Sequence, residues 1–247
     1  MKLSELCPVA LPASELTEEV FVGPNARMKL NDVIGAYIGE KPLWLADPQT
    51  AKAARLPSTP EPFFELADHP HADERTAAQF SHALRHRSGA IAVGSGTVND
   101  IAKRAASQVD VPYVVMGTAA SMNGYASGIA AMLNEGLKTT VPATPPRAIV
   151  LDTTVLAAAP PIMAQAGLGD LMSKPVSDTD WWLANAIEGS GYSTLPGEVV
   201  EHAMARALGA ATGLSTGCPE AHGALGEALI LSGVAMVVAG SSAPASG

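Results

Sequence analysis

The sequence predicts an α/β fold, a parallel sheet wrapped by helices, followed by an all-helical second part. Three observations carry this. Short apolar runs alternate with helical stretches between residues 42 and 152, the pattern of β-α-β units. One of those runs, Ile91-Ala92-Val93, breaks into Gly94-Ser95-Gly96 and then into a helical stretch. Beyond about residue 155 the texture changes to Ala-, Leu- and Met-rich segments with helical periodicity,.

Each element has its own justification. Pro42-Leu43-Trp44-Leu45-Ala46 reads as a strand ending on the carboxylate of Asp47, and Pro48 opens a helix, Gln49 to Arg55, at the position proline favours,. Leu56 to Pro62 is a proline-rich loop. Asp73 to Arg87 reads as a helix with Phe80 and Leu84 on one face, and Arg85-His86-Arg87 as its solvated end. Ala90 to Val93 is a buried strand, Ile101 to Ser107 a helix and Val111 to Met116 the next strand. Ala148 to Leu151 is a further short strand that ends on Asp152. Val155 to Gln165, Asp178 to Ile187, Glu198 to Leu208 and Gly223 to Val238 follow as helices, with Gly209 to Pro219 a small-residue loop. The domain boundary is expected near Pro160-Pro161, giving an α/β domain over 1–158 and a helical domain over 159–247.

Composition narrows the function. With 247 residues, 47% of them hydrophobic, the chain can build a sizeable core,. A net charge of −9 and the lack of a dense Lys/Arg cluster exclude a nucleic-acid partner,. Cys7 and Cys218 stand far apart without CxxC spacing, which suits a reducing cytoplasm and no disulfide framework,. The first residues do not read as a signal peptide, and no uninterrupted apolar run reaches the roughly 18 residues of a membrane span.

Three segments carry chemistry. Gly94 and Gly96 let the backbone approach an anion, with the free N–H groups of the next helix turn behind them; glycines also close ordinary strand-to-helix turns. Thr118-Ala119-Ala120-Ser121-Met122-Asn123-Gly124-Tyr125-Ala126-Ser127 follows a strand, where small hydroxyls and an amide either meet a ligand or form an Asx/ST turn,. In Gly167-Leu168-Gly169-Asp170-Leu171-Met172-Ser173-Lys174, Asp170 is either a helix N-cap or a metal ligand,.

Together GSGTVNDIAK, TAASMNGYAS and GLGDLMSK, in that order, resemble the sn-glycerol-1-phosphate dehydrogenases. These belong to the superfamily of iron-containing alcohol dehydrogenases, glycerol dehydrogenase and dehydroquinate synthase. The resemblance implies a Rossmann-like nucleotide-binding domain and a helical metal-binding domain, here incomplete, with NAD(H) or NADP(H) and a divalent metal, Zn or Ni. It implies hydride transfer between the nicotinamide and dihydroxyacetone phosphate, giving sn-glycerol 1-phosphate. Carried over by motif, Asp47 would bind the adenosine ribose, although it precedes the glycine turn by 47 residues, where the usual order has the acid following by about 20. Gly94, Ser95, Gly96, Thr97 and Val98, with Asn99 and Asp100, would cradle the pyrophosphate. Thr118, Ala119, Ala120, Ser121 and Ser127 would line the nicotinamide side.

By the same resemblance Asp170 would be the metal ligand and catalytic residue, with Asn123 and Lys174 beside a phosphorylated triol. Asn123 stands where the family often has aspartate, and the two family histidines fall after the Ala239–Gly247 run. His202 and His222 read as a surface or helix-end pair rather than substitutes, and His69 and His71 match no family ligand. The alternatives are a glycerol or other polyol dehydrogenase, and a catalytically incomplete NAD-binding module. A homo-oligomer is expected, because Leu225, Leu229, Ile230, Val234 and Val237 make the last helix so apolar that part of it should be left exposed,.

Overall fold

The computed structural model describes residues 1–7, 9–10, 17–55 and 62–240. The predicted loop at 56–62 and the 239–247 run therefore lie almost wholly outside the described residues. The strands are β1 (Glu19–Gly23), β2 (Pro42–Ala46), β3 (Phe63–Glu65), β4 (Gly89–Gly94), β5 (Tyr113–Gly117), β6 (Ile129–Asn134), β7 (Leu137–Pro142) and β8 (Ala148–Asp152). Helices of the first part are α1 (Leu3–Leu6), α2 (Leu30–Tyr37), α3 (Pro48–Ala53), α4 (Glu74–Leu84) and α5 (Gly96–Gln108). Then come α6 (Thr153–Ala157), α7 (Pro161–Met172), α8 (Lys174–Glu188), α9 (Leu195–Ser215) and α10 (Pro219–Val238).

Six strands form one parallel sheet in the order β1-β8-β5-β4-β2-β3, and β6 and β7 make a separate antiparallel hairpin. The central strands are buried on both faces, which is why they read as continuous apolar runs. Alternation within them sends side chains to two cores. Leu43, Leu45, Ala90, Ala92, Val115 and Leu151 pack with α4, α5 and α10 on one face. Trp44, Ala46, Ile91, Val93, Val114 and Val150 pack with α2 and Ala54 on the other. From β2 the chain moves outward to β3, and from β4 it moves the opposite way to β5. The crevice between the carboxyl ends of β2 and β4 is thus the switch point where open parallel sheets bind ligands.

Several boundaries differ from the sequence reading. The helix predicted across Val155–Gln165 is two helices, because Pro160 and Pro161 lack the N–H groups that would continue α6,. Residues 209–215, predicted as loop, continue α9. There Gly213 lets α9 approach α10, since a Cβ would lie 2.7 Å from Ala221 Cβ. His222, predicted in a loop, is buried in the first turn of α10 with its Nδ1 2.9 Å from the Cys218 carbonyl. Three elements escaped the reading: β1, α2 and the β6–β7 hairpin.

The expected exposure of the last helix is also corrected. α10 has the length and apolarity of a membrane span, yet most of it is buried. It shares one core with the sheet, with Leu225, Leu229 and Ile230 joining Ile149 and Leu151. Exposed apolar surface lies instead on α7 and α8, at Met172, Val176, Leu183 and Ile187, the last 73% exposed.

Candidate active site

Two cavities meet at the N-terminus of α5. The first, of about 470 Å³, occupies the switch point and is lined by Asp47, Gln49, Thr50, His69, Ser95, Thr97, Val98, Thr118 and Ala119. The second, of about 510 Å³, lies under the hairpin and is lined by Gly96, Thr97, Asp100, Asn123, Ser127, Lys138 and Thr140. Thr97 and His71 line both. The sequence reading passed over His71, and only its place between the cavities could have marked it.

Asp47 ends β2 and caps α3: its Oδ1 accepts from the N–H groups of Gln49 and Thr50, at 2.9 Å each. Its Oδ2 accepts only from the Thr50 hydroxyl and keeps capacity for a ligand hydroxyl. At the end of β4 the turn into α5 is close-packed, since a Cβ on Gly94 would lie 2.5 Å from Val98 Cβ. The helix begins at Gly96 itself, five residues earlier than read. The N–H groups of Gly96, Thr97 and Val98 have no intrahelical acceptor, so three donors and the positive end of the helix dipole face the cavities. Ser95 caps the helix by position alone, leaving its hydroxyl free of the backbone.

Asn99 and Asp100 depart from the expected pyrophosphate contact. Asn99 is fully buried; its N–H donates to the Ser95 carbonyl, its amide donates to the Gly124 carbonyl, and its Oδ1 accepts from the Tyr113 hydroxyl. It braces the 118–127 segment rather than reaching the cleft. The Asp100 carboxylate accepts from the Asn99 amide and the Ala131 N–H. Burial pushes this carboxyl up to about 6, against the pull of Lys103. The native state thus keeps a proton that the unfolded chain loses near pH 4. Asp100 contributes stability below its ordinary value and loses it as pH rises through about 6,. Its carboxyl carbon resonance, assigned by its absence in Asp100→Asn, is expected to titrate with that midpoint. A midpoint at the ordinary value would contradict the burial seen here.

Lys103, which the sequence reading missed, is wholly buried and donates to four oxygens. These are the carbonyls of Gly124 (2.5 Å), Ser127 (2.9 Å) and Ile129 (3.0 Å) and the Ser127 hydroxyl (3.0 Å). Burial pushes its ammonium down to about 8, with Asp100 opposing. Ser127 is thereby committed to this ammonium. Of the other residues expected on the nicotinamide side, Thr118 and Ala119 reach a cavity, while Ala120 is packed under α7 and Ser121 lines neither.

Asp170 corrects the cap reading, because it lies inside α7 and not at its start. Its Oδ2 accepts from the Asn123 N–H at 2.7 Å, and its Oδ1 sits 3.1 Å from Lys174 Nζ. The Asn123 amide in turn donates to the Ser232 hydroxyl. Lys174 is buried by this pair and lines a groove between α8 and α9, outside both cavities. That corrects its expected place beside the substrate. Among the described residues no three His, Cys, Asp or Glu side chains gather to hold a metal; His202 and His222 lie elsewhere.

Residues 22–160 match the family model described as iron-containing alcohol dehydrogenase. The chain is 33% identical to the glycerol-1-phosphate dehydrogenase [NAD(P)+] of Methanothrix thermoacetophila, over 94% of this chain and 68% of that one. It is 31% identical to the protein of the same description from Bacillus velezensis, over 93% of this chain and 62% of that one. Among solved structures it is similar to glycerol dehydrogenase from Schizosaccharomyces pombe, with TM-score 0.75, 20% identity, and 92% and 62% of the two chains covered. The chain therefore spans roughly two thirds of the length of these relatives.

Proposed function

We propose, since this chain belongs to the iron-containing alcohol dehydrogenase family, that it binds NAD(H) at the switch point and serves the interconversion of dihydroxyacetone phosphate and sn-glycerol 1-phosphate. The observation that carries this is the pair of cavities meeting at the three free N–H groups of α5, with Asp47 at one end and Asn123 at the other. Relatives described as glycerol-1-phosphate dehydrogenases support the choice of substrate. In this reading the N–H groups of Gly96, Thr97 and Val98 take the pyrophosphate, and Asp47 Oδ2 accepts from the adenosine ribose. Thr118 and Ala119 wall the first cavity, and the hairpin covers the second against water. The nicotinamide supplies the hydride when bound; the protein orients the partners.

A divalent metal, Zn or Ni, does not fit the described residues. Asp170 offers one carboxylate, already shared between Lys174 and the Asn123 N–H, whereas a catalytic site takes about three protein ligands. This misfit favours, as the second reading, a nucleotide-binding module without turnover of its own. A cytoplasmic homo-oligomer belongs to the same proposal, supported by the free thiols of Cys7 and Cys218 and the apolar surface of α8.

Cofactor titration tests the reading. A carboxylate at the ribose repels a 2′-phosphate, so NADH is expected to bind about tenfold tighter than NADPH, a difference of about 1.4 kcal/mol. Asp47→Asn should weaken NADH and narrow that gap, read by the fluorescence of the bound dihydronicotinamide. Equal or tighter binding of NADPH by the unaltered protein would refute the role of Asp47.

A further inference from the structure

A phosphorylated substrate brings a dianion to a chain whose net charge is −9, and into a cavity that already holds the Asp100 carboxylate. Local cations must supply the attraction. Among the described residues, Lys138 is the one Lys or Arg that lines either cavity. Lys174 is spent on Asp170 and opens elsewhere.

Lys138 and Thr140 stand two residues apart on β7, so both side chains leave the same face of the hairpin. Their partners across the ladder are Leu133 and Ala131, and all four line the cavity. The hairpin thus turns one cationic and one hydroxyl donor toward the space above α5. Its tight turn, with Glu135 and Gly136 both at positive φ (49° and 83°), sets this register,. The opposite wall is the first turn of α5, taken by the pyrophosphate in the reading above. What remains for the anionic end of a substrate is the hairpin wall. The exposed Lys138 side chain has no ion-pair or hydrogen-bond partner among the described residues and is long enough to swing over the cavity.

We propose that Lys138, assisted by Thr140, binds the phosphate of the substrate and so distinguishes a phosphorylated triol from a plain polyol. This rests on the dehydrogenase reading. The experiment is calorimetric titration of the NADH-saturated 247-residue chain with sn-glycerol 1-phosphate, glycerol and inorganic phosphate, using the unaltered protein, Lys138→Met and Lys138→Arg.

The unaltered protein is expected to prefer the phosphate ester to glycerol. Lys138→Met should weaken the ester by about 10- to 100-fold, the worth of one charge-assisted bond, with the affinities for NADH and glycerol unchanged. Lys138→Arg should keep most of the preference. If Lys138→Met keeps the preference, the assignment of Lys138 is overturned while the dehydrogenase reading stands. No preference for the ester in the unaltered protein overturns the phosphorylated-substrate reading itself. Inorganic phosphate binding as tightly as the ester, or loss of NADH affinity in Lys138→Met, would overturn the substrate role by making Lys138 a general anion or cofactor contact.

Discussion

Replacing Lys103 by methionine is expected to lower stability by about 3–5 kcal/mol and to remove measurable NADH binding. The ammonium is the shared donor to the carbonyls of Gly124, Ser127 and Ile129 and to the Ser127 hydroxyl. Methionine fills the volume but donates nothing, so several buried acceptors lose their partner, at about 1–3 kcal/mol each before the loop relaxes. Asp100 would also lose the cation that favours its charged form. Because burial leaves the Lys103 ammonium titrating at about 8, it is still charged at neutral pH, and the loss is felt there in full. The same change frees the 124–129 segment, which carries the hairpin over the second cavity. Urea unfolding at pH 7 measures the first effect and NADH fluorescence the second. A loss below about 1 kcal/mol would show that water replaces the ammonium, and the keystone role would fall.

A second large effect is expected where helices press on the 118–127 segment. A Cβ on Gly167 of α7 would collide with the Ala120 carbonyl, and one on Gly233 of α10 with the Asn123 carbonyl. Both obstacles are backbone, which does not swing aside as a side-chain tip does. Gly167→Ala and Gly233→Ala should therefore each cost about 3 kcal/mol, the upper part of the usual overpacking range. For a chain of this size that is a fall of about 6–12 °C in the melting midpoint. Gly169→Ala, on the same helix with nothing within 4 Å of its Cβ position, is expected to be neutral or mildly stabilising. If all three variants melt together, the close approach described here is not what holds the segment.

Much of the framework was legible because its cause is local. The runs at 42–46, 89–94, 113–117 and 148–152 are apolar throughout since both faces of a parallel sheet are covered,. Pro48 after Asp47 marks a capped helix start by its own chemistry,. β1 and α2 were missed because only pairing with β8 and packing under the sheet make elements of those segments. The hairpin carried a weak signal, the Asn134-Glu135-Gly136 turn between alternating residues, that a search for strand–helix units passes over.

The sequence by itself determined the parallel sheet and the glycine turn into α5, and it placed Asp47 at the end of its strand. These follow from side-chain period, backbone sterics and capping, all expressed within a few residues. Only the tertiary structure decided which of the marked residues share a cavity. Asp170 lies 47 positions from Asn123 yet accepts its N–H, and Lys174 closes on Asp170. Asn99 turns inward to brace the chain, and Lys103, unremarkable in sequence, becomes the buried donor at the centre of the site. Distance in space is set by how the elements pack, and no local pattern of residues encodes it.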